Sequence, residues 1–395
     1  MCVMLASGVA TSQTTINQSQ TNSGAITTSQ TVNVGTATDG VGETTTLGGN
    51  TLSVTVTNTD GSMVSDQTNS GELYAHGVLN VTDSMGDSTN VTTTTVGNSG
   101  TATAAYGTLS AFMVQTNYGS VTARGQIEAE TAQAGDVVES TMAAGNTQGL
   151  LMVNGSAGAR ISQHNEGDVN ADGGAIIQHV AGTAVVAGTA AGNNIDLTGA
   201  NQSAARIIVD QYNIPDKVTA TQFTTYGNSY LTTTGATASG NNLNAANEGT
   251  LLDVTTQQYN SAYVQAVAQH SSYEFGGAQA TAYGVGNSVM ASNANGPGLV
   301  LDNTQVNDGG GVEVTASFEG NNGYDAGASA TAIGNAVSGY VCGQCGGNMT
   351  ATSRQSNNVD VSATSTVTVG SGRSVVGIAT ATGNNATFSV TNSGY

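Results

Sequence analysis

The triplet Gln-x-Asn recurs through the chain at Gln20, Gln67, Gln115, Gln163, Gln211, Gln258, Gln305 and Gln355, with intervals of 47, 48, 48, 48, 47, 47 and 50 residues. A second marker, Gly-Asn, keeps phase with it at Gly49, Gly97, Gly145, Gly192, Gly240, Gly286, Gly334 and Gly383, always 28 to 30 residues after its Gln. Two markers in phase through eight copies make this a repeat protein, and a repeat is read before any domain division. A module of about 48 residues without Trp could hardly bury enough apolar surface to fold alone. Stacked copies remove that difficulty, because each buries its apolar face against its neighbours.

The local texture selects strands. Val, Ile, Leu and Ala alternate with Thr, Ser or Asn, as in Leu52-Ser-Val54-Thr-Val56 and Val359-Asp-Val361-Ser-Ala363. Period-two alternation of β-branched residues is a strand signal. No stretch shows capped 3.6-residue periodicity, and no run of about 18 apolar residues could span a bilayer. Apolar-x-Ala pairs such as Val121-Thr-Ala123 are echoed before the second marker, as in Ala238-Ser-Gly240, which suggests a half-repeat. The expectation is an all-β, parallel β-solenoid (β-helix) of about eight 48-residue units with two coils of roughly 24 residues each. Sixteen coils at about 4.8 Å per layer would give a rod of about 77 Å. Gly and Asn at the corners supply the positive φ of tight turns. The Gln and Asn of each triplet, exemplified by Gln67, Asn69, Gln115, Asn117, Gln163, Asn165, Gln211, Asn213, Gln258 and Asn260, are expected to bond up the stack as ladders.

Residues 11–395 then form one repeat domain, and residues 1–10, apolar and small, read as the remnant of a signal peptide that starts upstream. Cys2 does not lie in a lipobox order. Repeats occupying the chain to its last few residues leave no room for an outer-membrane barrel or apolar anchor, so another protein is expected to hold the rod.

Charge limits the partners. Six basic against 26 acidic residues give a formal charge of −20, with a single lysine, Lys217. A duplex-binding protein needs cations to displace phosphate counterions, so nucleic acid is excluded, as is an anionic membrane surface. Catalysis has little support: His76, His164, His179 and His270 fall at different repeat phases and are expected at solvated corners or flanks. A polysaccharide-active β-helix enzyme would want a basic residue near clustered carboxylates, and the five arginines show no such cluster.

Three further features are candidate sites. Asp168-Val-Asn170-Ala-Asp172-Gly173 has the spacing that points alternate oxygens at one Ca²⁺. The twelfth position is His179 rather than an acid, and repeat phase already explains the segment, so Ca²⁺ binding is expected to be diffuse and no designed cofactor is implied. Cys342-Gly-Gln-Cys345 has no second pair to complete a zinc site and reads as a local disulfide in an exported chain. Tyr118, Tyr212 and Tyr259 cluster at the triplets and could stack against sugar rings; the alternative is that they pack on each other along the stack.

With its Gly-Asn units, such as Ala379-Thr-Ala-Thr-Gly383-Asn-Asn, and its acidic, Thr-, Asn- and Ala-rich texture, nearly the whole chain resembles the holdfast anchor family HfaD of stalked alphaproteobacteria. It is more loosely similar to curlin subunits, whose Gln/Asn-punctuated strands stack into fibres. The resemblance implies a non-enzymatic surface anchor, exported through an outer-membrane pore, that attaches adhesive polysaccharide to the cell. Its expected partners are outer-membrane export or anchor proteins, the polysaccharide and further copies of the chain. A polysaccharide-active enzyme and a curli-like fibre subunit are the alternatives.

Overall fold

A computed structural model describes residues 13–342 and 346–391. The described residues form β-strands joined by short turns, and every strand pairing is parallel. Each coil has three faces. The first coil comprises β1 (Gln13–Asn22), β2 (Ile26–Ala37) and β3 (Gly40–Thr57); the second comprises β4 (Asp60–Asn69), β5 (Leu73–Met85) and β6 (Ser88–Ala105). The third has β7 (Thr108–Asn117), β8 (Val121–Ala134) and β9 (Asp136–Val153). In the next four coils the second and third faces run on as one long bent strand. These coils are β10 (Ser156–Asn165) with β11 (Val169–Ala200), β12 (Ala204–Asn213) with β13 (Lys217–Asn247), β14 (Leu251–Asn260) with β15 (Tyr263–Asn293), and β16 (Gly298–Asn307) with β17 (Val312–Cys342). The last described coil is β18 (Asn348–Asn357), β19 (Val361–Ser371) and β20 (Ser374–Thr391).

The first-face strands form an eight-stranded sheet in chain order, and each of them ends on the Asn of a Gln-x-Asn triplet. The second and third faces join in one twelve-stranded sheet, an eight-strand path from β2 to β19 with β3, β6, β9 and β20 off it. Register fixes the coil length. Gln115 pairs with Gln163 and Gln163 with Gln211, a step of 48 residues from one layer to the next. The solenoid is therefore correct, but each unit is one coil and not two, and eight layers at about 4.8 Å make a stack of about 38 Å. The half-repeat arises differently. Ala123 on the second face and Ala143 on the third belong to one buried cluster, so the similar stretches meet across the interior rather than one above the other.

Alternation makes this interior. In β7 the inward set Leu109, Ala111, Met113, Gln115 and Asn117 is buried, and intervening residues face outward. The first face packs on the distal part of the third, with Leu109, Met113 and Ile161 against Ala104, Leu150 and Met152. The second face packs on the proximal part through Val121, Ala123, Val169 and Ala171 against Ala143 and Ala190. Small Ala columns let the two faces approach closely. The turn from third face to next first face uses a left-handed residue at Asn58, Tyr106, Asn154 and Asn201, which is why Asn recurs there.

Removal of residues 115–162 joins Val114 to Gln163 and preserves every inward phase. That variant is expected to fold as a seven-coil rod, whereas removal of 115–138, half a coil, is expected to abolish cooperative folding. Circular dichroism and sedimentation read both; equal folding of the two would refute a 48-residue coil.

Candidate functional site

The two sequence markers are two halves of one hydrogen-bond system. Seven Gln–Gln bonds of 2.7–2.9 Å link Gln20 through Gln67, Gln115, Gln163, Gln211, Gln258 and Gln305 to Gln355, each Nε2 donating to the preceding coil. The triplet asparagines form a second ladder from Asn22 through Asn69, Asn117, Asn165, Asn213, Asn260 and Asn307 to Asn357, at 2.7–2.9 Å, with each Nδ2 donating to the following coil. The asparagines of the Gly-Asn marker form a third, Asn50 to Asn384, with seven bonds of 2.8 Å, also donating forward.

The second amide hydrogen of the Gln and of the marker Asn ties the faces together, while that of triplet asparagines such as Asn117 and Asn165 closes the following turn on a carbonyl two residues on. Gln115 donates to the carbonyl of Thr147, immediately after the marker Asn146, and Gln163 does the same to Asn194. In return, Asn146 donates to the carbonyl of His164, the middle residue of a triplet. The marker glycine is needed for the same reason: a Cβ on Gly145 would lie 2.3 Å from Asn165 Oδ1, and one on Gly192 2.0 Å from Asn213 Oδ1. Each buried amide thus meets its partners at fixed distances, which is what makes a buried polar ladder tolerable.

The other candidates fall on the outside. Tyr212 and Tyr259 share a column with His164, with ring centroids 6.1 Å apart for His164 and Tyr212 and 6.4 Å for the two tyrosines. Tyr118 is not in that column; it follows the triplet in the turn, and its N–H donates to the Asn69 carbonyl. Asp168 precedes β11, while Asn170 and Asp172 alternate along its outer face. They do not converge: Asp168 accepts from the Lys217 N–H, Asn170 from the Thr219 hydroxyl, and Asp172 faces Arg124 at 3.5 Å. Among the described residues no group of three or more His, Cys, Asp or Glu is gathered to hold a metal. Cys342 ends β17, and Cys345, its expected disulfide partner, lies outside the described residues, as do residues 1–10. All five arginines meet an aspartate on a neighbouring coil: Arg124 with Asp172, Arg160 with Asp210, Arg206 with Asp253, Arg354 with Asp302 and Arg373 with Asp325.

One histidine departs from the solvated positions expected for it. His270 is buried between Tyr226 and Phe318, at 5.3 and 5.2 Å, with both ring nitrogens against the hydroxyls of Thr232 and Thr234. Desolvation holds its pKa down at about 3. It belongs to a polar string in the interior that includes Glu43, Thr93, Glu139 and Gln222. Burial raises Glu139 to about 8, against the Thr141 hydroxyl bond that lowers it, with the charges of Glu43 and Asp172 adding to the rise. Glu43 is raised for the same primary reason. Oxygens of both glutamates, and the whole Gln222 amide, lack partners among the described residues. Parity contained this information, since Val137, Glu139, Thr141 and Ala143 share one inward phase.

These features define a parallel β-solenoid held by buried amide ladders, with its chemistry displayed on outer columns. The model of the family described as holdfast attachment protein D matches residues 36–311, more than half of the chain, and the chain belongs to that family. It is also 53% identical over 68 residues to holdfast attachment protein D of Caulobacter vibrioides (strain ATCC 19089 / CIP 103742 / CB 15), an alignment covering 17% of this chain and 22% of that protein. No solved structure matches the chain.

Two measurements test the interior. Replacing Asn165 by Ala removes bonds to Asn117, Asn213 and Gly167 and strands their polar atoms; the expected loss is on the order of 3–6 kcal/mol. The same change at Asn22 at the first rung should cost about 1 kcal/mol, because fewer buried groups are stranded; similar losses in denaturant titrations would contradict the ladder. The pH dependence has two limbs. Folded Glu139 keeps its proton to about 8 whereas an unfolded one releases it near 4.5, so stability falls as pH rises between these values. Folded His270 stays neutral down to about 3 whereas an unfolded one protonates near 6.5, so stability also falls as pH drops from 6.5 to 3. The two slopes oppose each other from 4.5 to 6.5. Glu139→Gln should therefore gain on the wild type by about 1.4 kcal/mol per pH unit up to about pH 8, and a pH-independent difference would refute the buried acid.

Proposed function

We propose that the chain is a non-enzymatic, exported surface anchor that tethers adhesive polysaccharide to the outer membrane. The observation that carries this reading is the combination of family membership with a ladder-locked solenoid whose polar chemistry is either committed to holding coils together or spread along outer columns. A tether needs a body that resists local opening. Continuous ladders supply it, because opening one coil strands amides in two others.

Partners follow from the outer strands and surface. The last described coil exposes Val375, Phe388 and Val390 of β20, which share the phase of buried Ala326, Gly339 and Val341, a face suited to an outer-membrane export or anchor protein or to another copy of the chain. A charge of −20 opposes self-association at low salt, so divalent cations such as Ca²⁺ would promote it by screening rather than by occupying a designed site. The pairing of all five arginines with aspartates argues against the enzyme reading, since none stands free beside a carboxylate cluster. Removing the gene from its host is expected to leave cells that make adhesive but shed it into the medium, scored by surface binding and by adhesive recovered from the medium. Cells that retain their adhesive, or purified protein that releases new reducing or unsaturated ends from polysaccharide, would overturn the anchor reading.

A further inference from the structure

The most exposed tyrosines are not those beside the triplets. Tyr230, Tyr273 and Tyr324 are 67, 62 and 62% exposed, and all three lie where β13, β15 and β17 bend from the second face to the third. Strand register sets their spacing. Ser229 pairs with Phe275 and Leu231 with Gly277, so Tyr230 stands opposite Gly276, and by the same register Gly276 stands opposite Tyr324. The column reads Tyr230, Gly276, Tyr324, with a glycine on the middle coil.

This differs from a structural tyrosine stack. Tyr212 and Tyr259 occupy successive coils and touch. Tyr230, Tyr273 and Tyr324 make no ring–ring contact among the described residues, and the only cation over any of them is Arg373, 5.6 Å from the Tyr324 ring centroid. Two coil steps separate Tyr230 from Tyr324, about 9.6 Å. With glycine on the middle coil, the Tyr230 ring leans toward that coil: a Cβ on Gly276 would lie 3.4 Å from Tyr230 Cδ2.

Polar groups line the same cleft, whose volume is about 570 Å³ and which includes His179, Asn228, Glu274 and Asn322 beside the two tyrosines. Asn228 pairs with Glu274 and Glu274 with Asn322, so the three form an outward column two residues before the tyrosine column. The Glu274 carboxylate makes no hydrogen bond or ion pair among the described residues, which leaves it available as an acceptor for hydroxyl groups. Arg373, the cation at the edge, is tied to Asp325 and is not free for an acidic group.

We propose that this corner is a binding cleft for uncharged pyranose units, with Tyr230 and Tyr324 as stacking platforms and Asn228, Glu274 and Asn322 as hydroxyl partners. Tyr273, three residues before Gly276, lies outside this cleft and lines a neighbouring depression with Tyr226 and Asn321. Aromatic faces recognise the apolar face of a sugar ring, while amide and carboxylate groups recognise its rim. The overall charge and the unpaired Glu274 disfavour uronic acids. The proposal rests on the anchor reading for its biological ligand but not for its measurement.

Calorimetric titration of the full chain with cellohexaose, chitohexaose and hexagalacturonate tests it. At least one of the two neutral hexasaccharides is expected to bind saturably, and the acidic one is not. Tyr230→Ala and Tyr324→Ala should each weaken binding about tenfold, Tyr→Phe at either position should preserve it, and Tyr212→Ala should leave it unchanged. Both tyrosines are exposed, so thermal unfolding of the variants should match the wild type. Binding of hexagalacturonate alone, absence of binding by both neutral sugars, or equal loss in Tyr212→Ala would overturn the cleft. In cells, the Tyr230→Ala/Tyr324→Ala double variant should shed adhesive as the deletion does. Retention by that variant while the deletion sheds would refute the cleft and spare the anchor reading; retention by the deletion would refute the anchor reading, with the titration still deciding the cleft.

Discussion

A buried carboxamide has two donors and an acceptor that must all find partners, and in a stack of strands the group best placed to serve it is the same group one layer away. That requirement governs this protein. Gln163 accepts from Gln211 and donates to Gln115, and its remaining hydrogen goes to the Asn194 carbonyl on another face. The arrangement works only if neighbouring coils have identical inward phase, so the ladders enforce the register that the apolar core then fills. The Gln ladder points backward along the stack and the two Asn ladders point forward. The Gln ladder therefore offsets one of the two Asn ladders, and the other leaves a net forward direction along the axis.

The interior departs from this rule in one region. Where the second and third faces meet, glutamates at 43 and 139, Gln222 and His270 replace the residues found at matching positions; the glutamates and His270 take hydroxyl partners rather than copies of themselves, and the Gln222 amide has none among the described residues. Nearby glycines make the space: a Cβ on Gly125 would reach Glu139 Oε1 at 2.5 Å, and one on Gly173 would reach the Gln222 amide at 2.7 Å. Polar groups with short-range or missing partners cannot propagate along the stack. This region is accordingly where stability depends on protonation as well as on packing.

The surface follows from what the interior consumes. Arginines and aspartates pair between coils on the outer faces, and exposed ion pairs of this kind contribute little individually. The features left uncommitted are the tyrosine corner and the apolar strand β20. The proposed anchor would have two things to hold, the adhesive and the cell, and these two surfaces are of different chemistry: one mixes aromatic rings with polar groups, the other sets exposed Val and Phe side chains among Thr and Ser.

The sequence alone determined the unit length, the number of copies, the strand content and the inward phase. These are properties of the chain's own periodicity, and Gln115, Gln163 and Gln211 are visible as equivalent before any pairing is known. It could not say how many times the chain turns within a unit. Val121-Thr-Ala123 and the stretch around Ala143 look alike because both must be small and inward, and this similarity is the same whether they stack or face each other. Only the 48-residue strand register distinguishes the two. Burial of His270 and exposure of Tyr230 depend likewise on where the chain bends, since the bend decides which neighbours close over a side chain. Asp168, Asn170 and Asp172 have the spacing of a calcium loop, but extended backbone holds alternate side chains about 6.6 Å apart, and tertiary pairing hands each to a different partner.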